Sequence, residues 1–287
     1  MPIKLFVKKI IPASYRLKIK KIRRHTKNFF KRNAAKITLG DMRKLLTQDF
    51  GINKGDNLIV SSSFGNLNAA FSPTELIKLL QDIIGNEGNL VMPFYPPGNS
   101  HEWAASGQVF DMQGTCSSMG ILTQVFSEMP DVHKSMHPTK AVVAWGKDAE
   151  EIVLGHENSK TPFYWDSPYG WLLKKSSKSL GLGLKNIPIF HSFEDIILEN
   201  KYTLYQDKQI ILILKTNKNE EKQIVTLVHD PLKLIKLIDA GDYVKSLRLN
   251  TYRRVNFGFT FCYIVDNQEL FDKCKIEFNN NNFRFKK

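Results

Sequence analysis

The sequence predicts an α/β fold for residues 37–287, and three observations carry that prediction. Short apolar clusters suited to buried strands alternate with helix signals along the chain. The motif Ser72-Pro73-Thr74-Glu75 is a capping box with proline at the first helical position, and it stands directly after a strand-like run. Finally, 287 residues with 42% hydrophobic content can bury a real core without disulfide or metal staples.

The elements follow in order. Gly55-Asp56 opens a strand over 57–61, which runs into the small-residue loop Ser61-Ser62-Ser63-Phe64-Gly65-Asn66. The capped helix runs from Pro73 to about Ile84, where Gly85 and Gly88 close it. Residues 89–95 form the next buried strand, and 117–128 a helix. A strand is expected over 141–145 and a helix over 148–154, and Ser167-Pro168 starts another short helix. Residues 180–184 read as a strand and 191–200 as a helix. Three short strands are expected in 203–228, then helical patterns over 231–247 and 266–274. No internal repeat or flexible linker interrupts the chain after residue 40, so one domain is expected for 37–287.

Charge is distributed unevenly. The net charge of +13 suggests a nucleic-acid binder. Yet 13 of the 41 Lys and Arg fall in residues 1–36, which hold no acid, and the 28 that remain face 28 Asp and Glu in 37–287. The body is neutral and the excess lies in an arm. Apolar residues recur there at spacings of three and four (Ile3, Val7, Ile10, Tyr15, Ile19, Ile22), with Pro12 as a break. Through residues 3–32 such an arm can lie on an anionic inner-membrane surface. It can also pack on a second copy of the chain as a homodimer, or remain a solvated tail. Nucleic acid is disfavoured, since the body offers no second basic surface. Cys116, Cys262 and Cys274 are too widely spaced for a zinc site or a disulfide framework, so no metal is expected and a reducing compartment is. No membrane-span-length run or signal-peptide pattern is present, which points to a cytoplasmic protein.

His191 and Glu194 stand three apart on an expected helix and share a face. A carboxylate beside a histidine fixes its tautomer and stabilises the imidazolium, which makes a general base; the bland reading is a surface pair. His137 lies in a polar loop, Lys134-Ser-Met-His-Pro-Thr-Lys140, and by itself reads as structural. Asp230 alone reads as a helix N-cap. The serine loop 61–66, between strand and helix, can offer backbone N–H groups to a phosphate, or be a plain turn. Gly181-Leu-Gly183 lacks the third glycine of a dinucleotide fingerprint.

The order of several segments is more specific than any one of them. They are residues 55–64, 85–93, 109–111 leading into Thr115-Cys-Ser-Ser-Met-Gly120, 134–138, 144–149, Ser167-Pro168, and 181–184 leading to Phe190-His-Ser-Phe-Glu194. Together they resemble the aminoglycoside 3-N-acetyltransferase family, with good coverage from about residue 38 to 200. The resemblance implies a mixed sheet with flanking helices, acetyl-coenzyme A as donor, an amine as acceptor, and direct transfer in a ternary complex. It assigns His191 as the catalytic base, with Glu194 and Asp230 as its acidic partners. The loop Ser61, Ser62, Ser63, Phe64, Gly65 and Asn66 would hold coenzyme A, and Thr115 and Ser117 would line the thioester. His137 and Asp111 fall in matching segments and Tyr95 just after one, with structural or substrate-side roles.

Departures from the family pattern bear on the substrate. Ser61 stands where the family commonly has His, Lys134 where it has Arg, and Lys140-Ala141 follow His-Pro-Thr. A neutral body and a basic arm do not suit polycationic antibiotics. The Tyr95–Phe110 and His137–Lys140 features look like members encoded with surface-polysaccharide genes. The expectation is therefore an amino sugar on a nucleotide or lipid carrier, in O-antigen or capsule assembly. The alternatives are an aminoglycoside acetyltransferase conferring resistance, and a non-catalytic membrane-surface protein.

Overall fold

The computed structural model describes residues 35–199 and 204–285. The basic arm lies outside the described residues except for Ala35 and Lys36. Residues 37–287 form one compact unit.

Ten strands and ten helices are described. Helix α1 (Leu39–Lys44) continues into a π-helical turn, Leu45–Asp49. Then come β1 (Asn57–Ser62), α2 (Pro73–Ile84), β2 (Asn89–Phe94), α3 (Ser100–Ala105), β3 (Phe110–Asp111) and α4 (Ile121–Ser127). They are followed by β4 (His133–Lys134), β5 (Ala141–Gly146), α5 (Ala149–Val153), α6 (Pro168–Lys174), β6 (Lys178–Leu182) and α7 (Phe190–Leu198). The chain ends with β7 (Ile210–Lys215), β8 (Glu221–Thr226), α8 (Pro231–Leu234), α9 (Ala240–Ser246), β9 (Arg253–Phe257), β10 (Thr260–Asp266) and α10 (Asn267–Asn279).

Seven strands make a mixed sheet in the order β4-β5-β2-β1-β6-β10-β9. Its centre is parallel, with β1 between β2 and β6, and its edges are antiparallel. A smaller sheet, β3-β7-β8, stands apart. Side chains alternate across the main sheet, as a period of two requires. Leu58, Val60, Leu90 and Met92 pack with α1 and α2 on one face, while Ile59, Val91, Val142 and Ala144 pack with α6, α7 and α10 on the other. Two apolar layers around a doubly covered sheet explain why the central strands read as near-continuous hydrophobic runs.

The Ser72–Glu75 box forms as expected: Ser72 accepts from the Glu75 amide while Glu75 accepts from the Ser72 amide at 2.7 Å. At Gly181, opposite Tyr263 in the β6–β10 register, a Cβ would fall 1.9 Å from the Tyr263 ring. Only glycine lets that ring lie flat across the sheet and donate its hydroxyl to the Asn186 carbonyl.

Several boundaries differ from expectation. The 117–128 helix starts only at Ile121, because Gly120 takes φ 104°. Residues 203–228 hold two strands rather than three, since Tyr205 makes a single bridge to His229. The 231–247 helix is split in two. Between its halves, the Ile238 amide donates to the Arg284 carbonyl, and in the first turn of α9 Gly241 packs where a Cβ would be 2.4 Å from the Lys185 carbonyl. The β9–β10 hairpin, turning at Gly258, was not expected.

Candidate active site

Parallel strands β1 and β6 end together, with Ser62 opposite Leu182. Ligand sites of α/β sheets lie outside such strand ends. The Ser63 amide donates to the Leu182 carbonyl at 2.8 Å, and Asn66 Nδ2 donates to Ser63 Oγ (2.8 Å) and to the Gly183 carbonyl (3.1 Å). Gly183 takes φ 78°, and a Cβ there would be 2.9 Å from the Ser63 carbonyl. The serine loop is thereby pinned to β6. It lines a cleft of about 900 Å³ together with Ser118–Ile121, Gly183–Pro188 and Ala240–Gly241. The hydroxyls of Ser61 and Ser62 are buried there without a hydrogen-bond partner. Buried polar atoms seldom remain unpaired, so these are candidate contacts for a ligand.

His191 stands on the first turn of α7, and Phe190 and Phe193 bury the apolar face that fixes this helix on the sheet. Its Nδ1 lies 2.8 Å from Glu194 Oε2, a carboxylate with no solvent exposure. The other carboxylate oxygen accepts from Arg284, which also donates from Nε to the Ile238 carbonyl at 2.7 Å and lies over the Phe190 ring. A carboxylate acceptor puts the proton on Nδ1 and leaves Nε2 with a lone pair. The imidazole is about one-third exposed and lines two cavities: the large cleft and a smaller one of about 220 Å³. Tyr95 is the other residue common to both.

The ring beside His191 belongs to His229, not to the expected Asp230. The two rings are 4.8 Å apart, and His229 in turn stacks on Tyr205 (4.5 Å) and Phe163 (5.6 Å). Burial holds His229 well below the usual histidine range, with His191 and Lys140 adding to the effect. Asp230 accepts from the Leu232 amide at 2.8 Å and caps α8, so its carboxylate serves its own helix. Behind the stack lies Asp195, which accepts from Thr161 and, at 2.5 Å, from Tyr205. Burial raises its pKa from 3.8 to about 7 against those hydrogen bonds.

That shift has a defined sign. Between about pH 4 and 7 the folded state holds a proton on Asp195 that the unfolded chain has lost, so stability falls as pH rises, by at most about 1.4 kcal/mol per unit. Asp195→Asn keeps a group able to bond Thr161 and Tyr205 but removes the titration. Denaturant melts at pH 5 and pH 7 are expected to show a drop in the parent that the variant lacks; parallel behaviour of the two would contradict this.

Other expected site residues are placed differently. Thr115 lies in a separate cavity with Lys134 and Glu128, where its hydroxyl accepts from the Asp111 amide at 2.9 Å. Ser117 is tied to Gln124 and to the Met119 amide. Neither lines the large cleft, whose wall is formed by the next residues, Ser118–Ile121. Asp111 closes the same turn by accepting from the Gln113 and Gly114 amides, which hold its carboxyl below the usual range. The buried His137 accepts at Nδ1 from the Thr139 and Lys140 amides and reaches Thr226 at Nε2, a structural arrangement. Tyr95 shares a 2.8 Å hydrogen bond with Tyr169.

Sequence reasoning missed Arg284 and His229. Arg284 had one signal, a lone cation between Phe283 and Phe285, and His229 stands beside the residue that was chosen.

The family model described as aminoglycoside 3-N-acetyltransferase matches residues 59–277. A Bacillus subtilis (strain 168) relative, the SPbeta prophage-derived aminoglycoside N(3')-acetyltransferase-like protein YokD, is 26% identical over 162 residues. That match takes in 49% of this chain and 59% of the relative, so it spans little more than half of the relative's length. The crystal structure of YokD superposes with a TM-score of 0.66 at 21% identity, over 83% of this chain and 93% of YokD. AAC-IIIb in a binary complex with CoASH gives 0.69 at 17%, over 88% and 100%. Sisomicin-bound AAC-VIa gives 0.71 at 17%, over 87% and 100%. The fold is that of these acetyltransferases, and the chain belongs to the aminoglycoside 3-N-acetyltransferase family.

Proposed function

We propose that the chain is an acetyl-coenzyme A-dependent N-acetyltransferase that acts on the amine of an amino sugar, with His191 as general base. The observation that carries this is the imidazole held by Glu194 and Arg284 at the junction of two cavities. The pinned serine loop, with its unpaired Ser61 and Ser62 hydroxyls, suits a ligand rich in carbonyl and phosphate oxygens. When bound there, acetyl-coenzyme A supplies an acetyl thioester: the bond from amine nitrogen to acyl carbon forms as the carbon–sulfur bond breaks, and the second proton lost by the nitrogen ends on the sulfur, giving the free thiol.

The chain's own part is proton handling. A protonated amine has no lone pair for attack. His191 Nε2 takes the proton, Glu194 offsets the charge that appears on the ring, and Arg284 keeps Glu194 in place. Lone-pair donors in the serine loop are poor stabilisers of a developing oxyanion, whereas its hydroxyl and amide hydrogens are good ones.

Among relatives, the names support aminoglycosides as acceptors over the expected role in O-antigen or capsule assembly, for which the comparisons offer no support. The test is release of free thiol from acetyl-coenzyme A in the presence of kanamycin- and gentamicin-type drugs and of simple amino sugars, with products weighed by mass spectrometry. A gain of one acetyl group on any amino sugar is expected; coenzyme A binding without transfer to any amine would overturn the reading.

A further inference from the structure

Two residues, His191 and Tyr95, line both cavities. His191 offers a lone pair there. Tyr95 offers the opposite, a hydrogen without an acceptor, and the bonds around it show why.

Tyr95 follows the last residue of β2, whose parallel neighbour β1 ends in the serine loop. The pleat sends Phe94 into the layer under α1 and α2 and Tyr95 to the other layer, on the side of α7. The Tyr95 carbonyl accepts from the Ser118 amide at 2.8 Å and from the Ser118 hydroxyl at 3.1 Å, which ties the residue to the cleft wall. Lys140 Nζ lies 4.2 Å from the ring centre and steadies its face. The Tyr95 hydroxyl is 2.8 Å from that of Tyr169. Tyr169 is fully buried, and among the described residues its hydroxyl has no other hydrogen-bond partner. Were Tyr95 the donor in this pair, the Tyr169 hydrogen would be buried without an acceptor, which folded proteins seldom tolerate. Donation therefore runs from Tyr169 to Tyr95, and the Tyr95 hydrogen is left over where the two cavities meet.

We propose that Tyr95 is a catalytic residue whose hydroxyl donates to the thioester carbonyl oxygen, the atom that becomes an oxyanion as the amine attacks. The proposal rests on the acetyltransferase reading above. The two sides of the reaction make opposite demands. The amine must lose protons, so it needs a lone pair beside it, which His191 has. The thioester oxygen gains negative charge, so it needs hydrogens beside it. Tyr95 has one, oriented by Tyr169 before any ligand arrives, so the transition state requires no rearrangement. The ammonium of Lys140 against the ring adds positive potential nearby. Burial pushes the Tyr95 phenol well above the usual tyrosine range, so the hydrogen is shared with the oxyanion and stays on the phenol. The oxyanion forms with the nitrogen–carbon bond and collapses as the carbon–sulfur bond breaks, with Tyr95 neutral throughout.

The experiment compares the full chain with Tyr95→Phe, Tyr169→Phe and the double variant. Phenylalanine keeps the ring beneath Lys140. The double variant leaves no buried hydroxyl of the pair unpaired, so a fold weakened by Tyr95→Phe alone does not hide the answer. The first readout is the infrared carbonyl band of isotope-labelled acetyl-coenzyme A, bound without an acceptor. A hydrogen bond weakens the carbonyl, so the band is expected at lower frequency in the parent and in Tyr169→Phe than in the two forms that lack the Tyr95 hydroxyl. The second is turnover with kanamycin- and gentamicin-type acceptors. Those two forms are expected to lose about 10²–10³-fold in kcat, the effect of removing one oxyanion donor, with little change in the KM for acetyl-coenzyme A. An unmoved band, a double variant that turns over at the parent rate, or an equal loss in Tyr95→Phe and Tyr169→Phe would each overturn the proposal, the last by making the pair merely structural. Transfer by the parent to no amine would instead overturn the acetyltransferase reading beneath it, and the infrared band distinguishes the two failures. A parent that does not bind acetyl-coenzyme A would overturn both.

Discussion

His191→Ala is expected to lower kcat by about 10²–10⁴-fold, the range that a positioned general base contributes, while coenzyme A still binds. The side chain is 31% exposed, so its loss leaves no large cavity. The serine loop is held by Asn66, Ser63 and Gly183, none of which touches His191, so the larger cleft keeps its floor. Measured by thiol release, with coenzyme A affinity from calorimetry, the expected split is a collapsed rate beside an unchanged dissociation constant. A variant with near-normal turnover would remove His191 from the base role. His191→Asn, which keeps a polar group of similar reach, is expected to stay as slow as the alanine form.

Arg284→Ala is expected to have the largest effect on stability. Glu194 is fully buried and its ion pair with Arg284 is almost so. Removing one partner leaves an uncompensated buried charge, at a cost of about 3–5 kcal/mol. The Ile238 carbonyl loses its Nε donor as well. A fall of about 6–20 °C in melting temperature follows for a domain of this size. Glu194→Gln in the same background should return part of the loss, because no buried ion then remains. A shift of a degree or two in the single variant would mean that water reaches Glu194. Glu194→Gln alone strands Arg284 and is expected to lose stability too; a rate slowed further than the unfolded fraction explains would separate the carboxylate's role toward His191 from its role in the fold.

How much of this was legible in the sequence differs by element. The central strands and α2 were, because their signals are local: apolar runs for strands covered on both faces, and a capping box whose two hydrogen bonds join residues three apart. The His191–Glu194 pair is local too, being one helical turn, but its spacing alone favoured an ordinary surface pair, and the family resemblance supplied its role. What failed depends on distant partners. The 231–247 segment has helical periodicity, but tertiary pairing of Ile238 with Arg284 interrupts it. Thr115 and Ser117 fall three residues and one residue short of the cleft wall, which begins at Ser118, and their own hydroxyls are taken up by the Asp111 and Met119 amides. Arg284 lies 90 residues from Glu194, and nothing local announces the pair. Asp230 was placed by the family resemblance, which has an acid near the histidine, whereas the fold brings up a ring, His229, from a strand-like bridge to Tyr205.

The two cavities meet at His191 and Tyr95 and otherwise share no wall residue. Each ligand therefore has a route that the other does not occupy. If transfer is direct, as proposed, label is expected not to pass between acetyl-coenzyme A and free coenzyme A until an acceptor is present, and initial-rate plots against either substrate are expected to converge instead of running parallel.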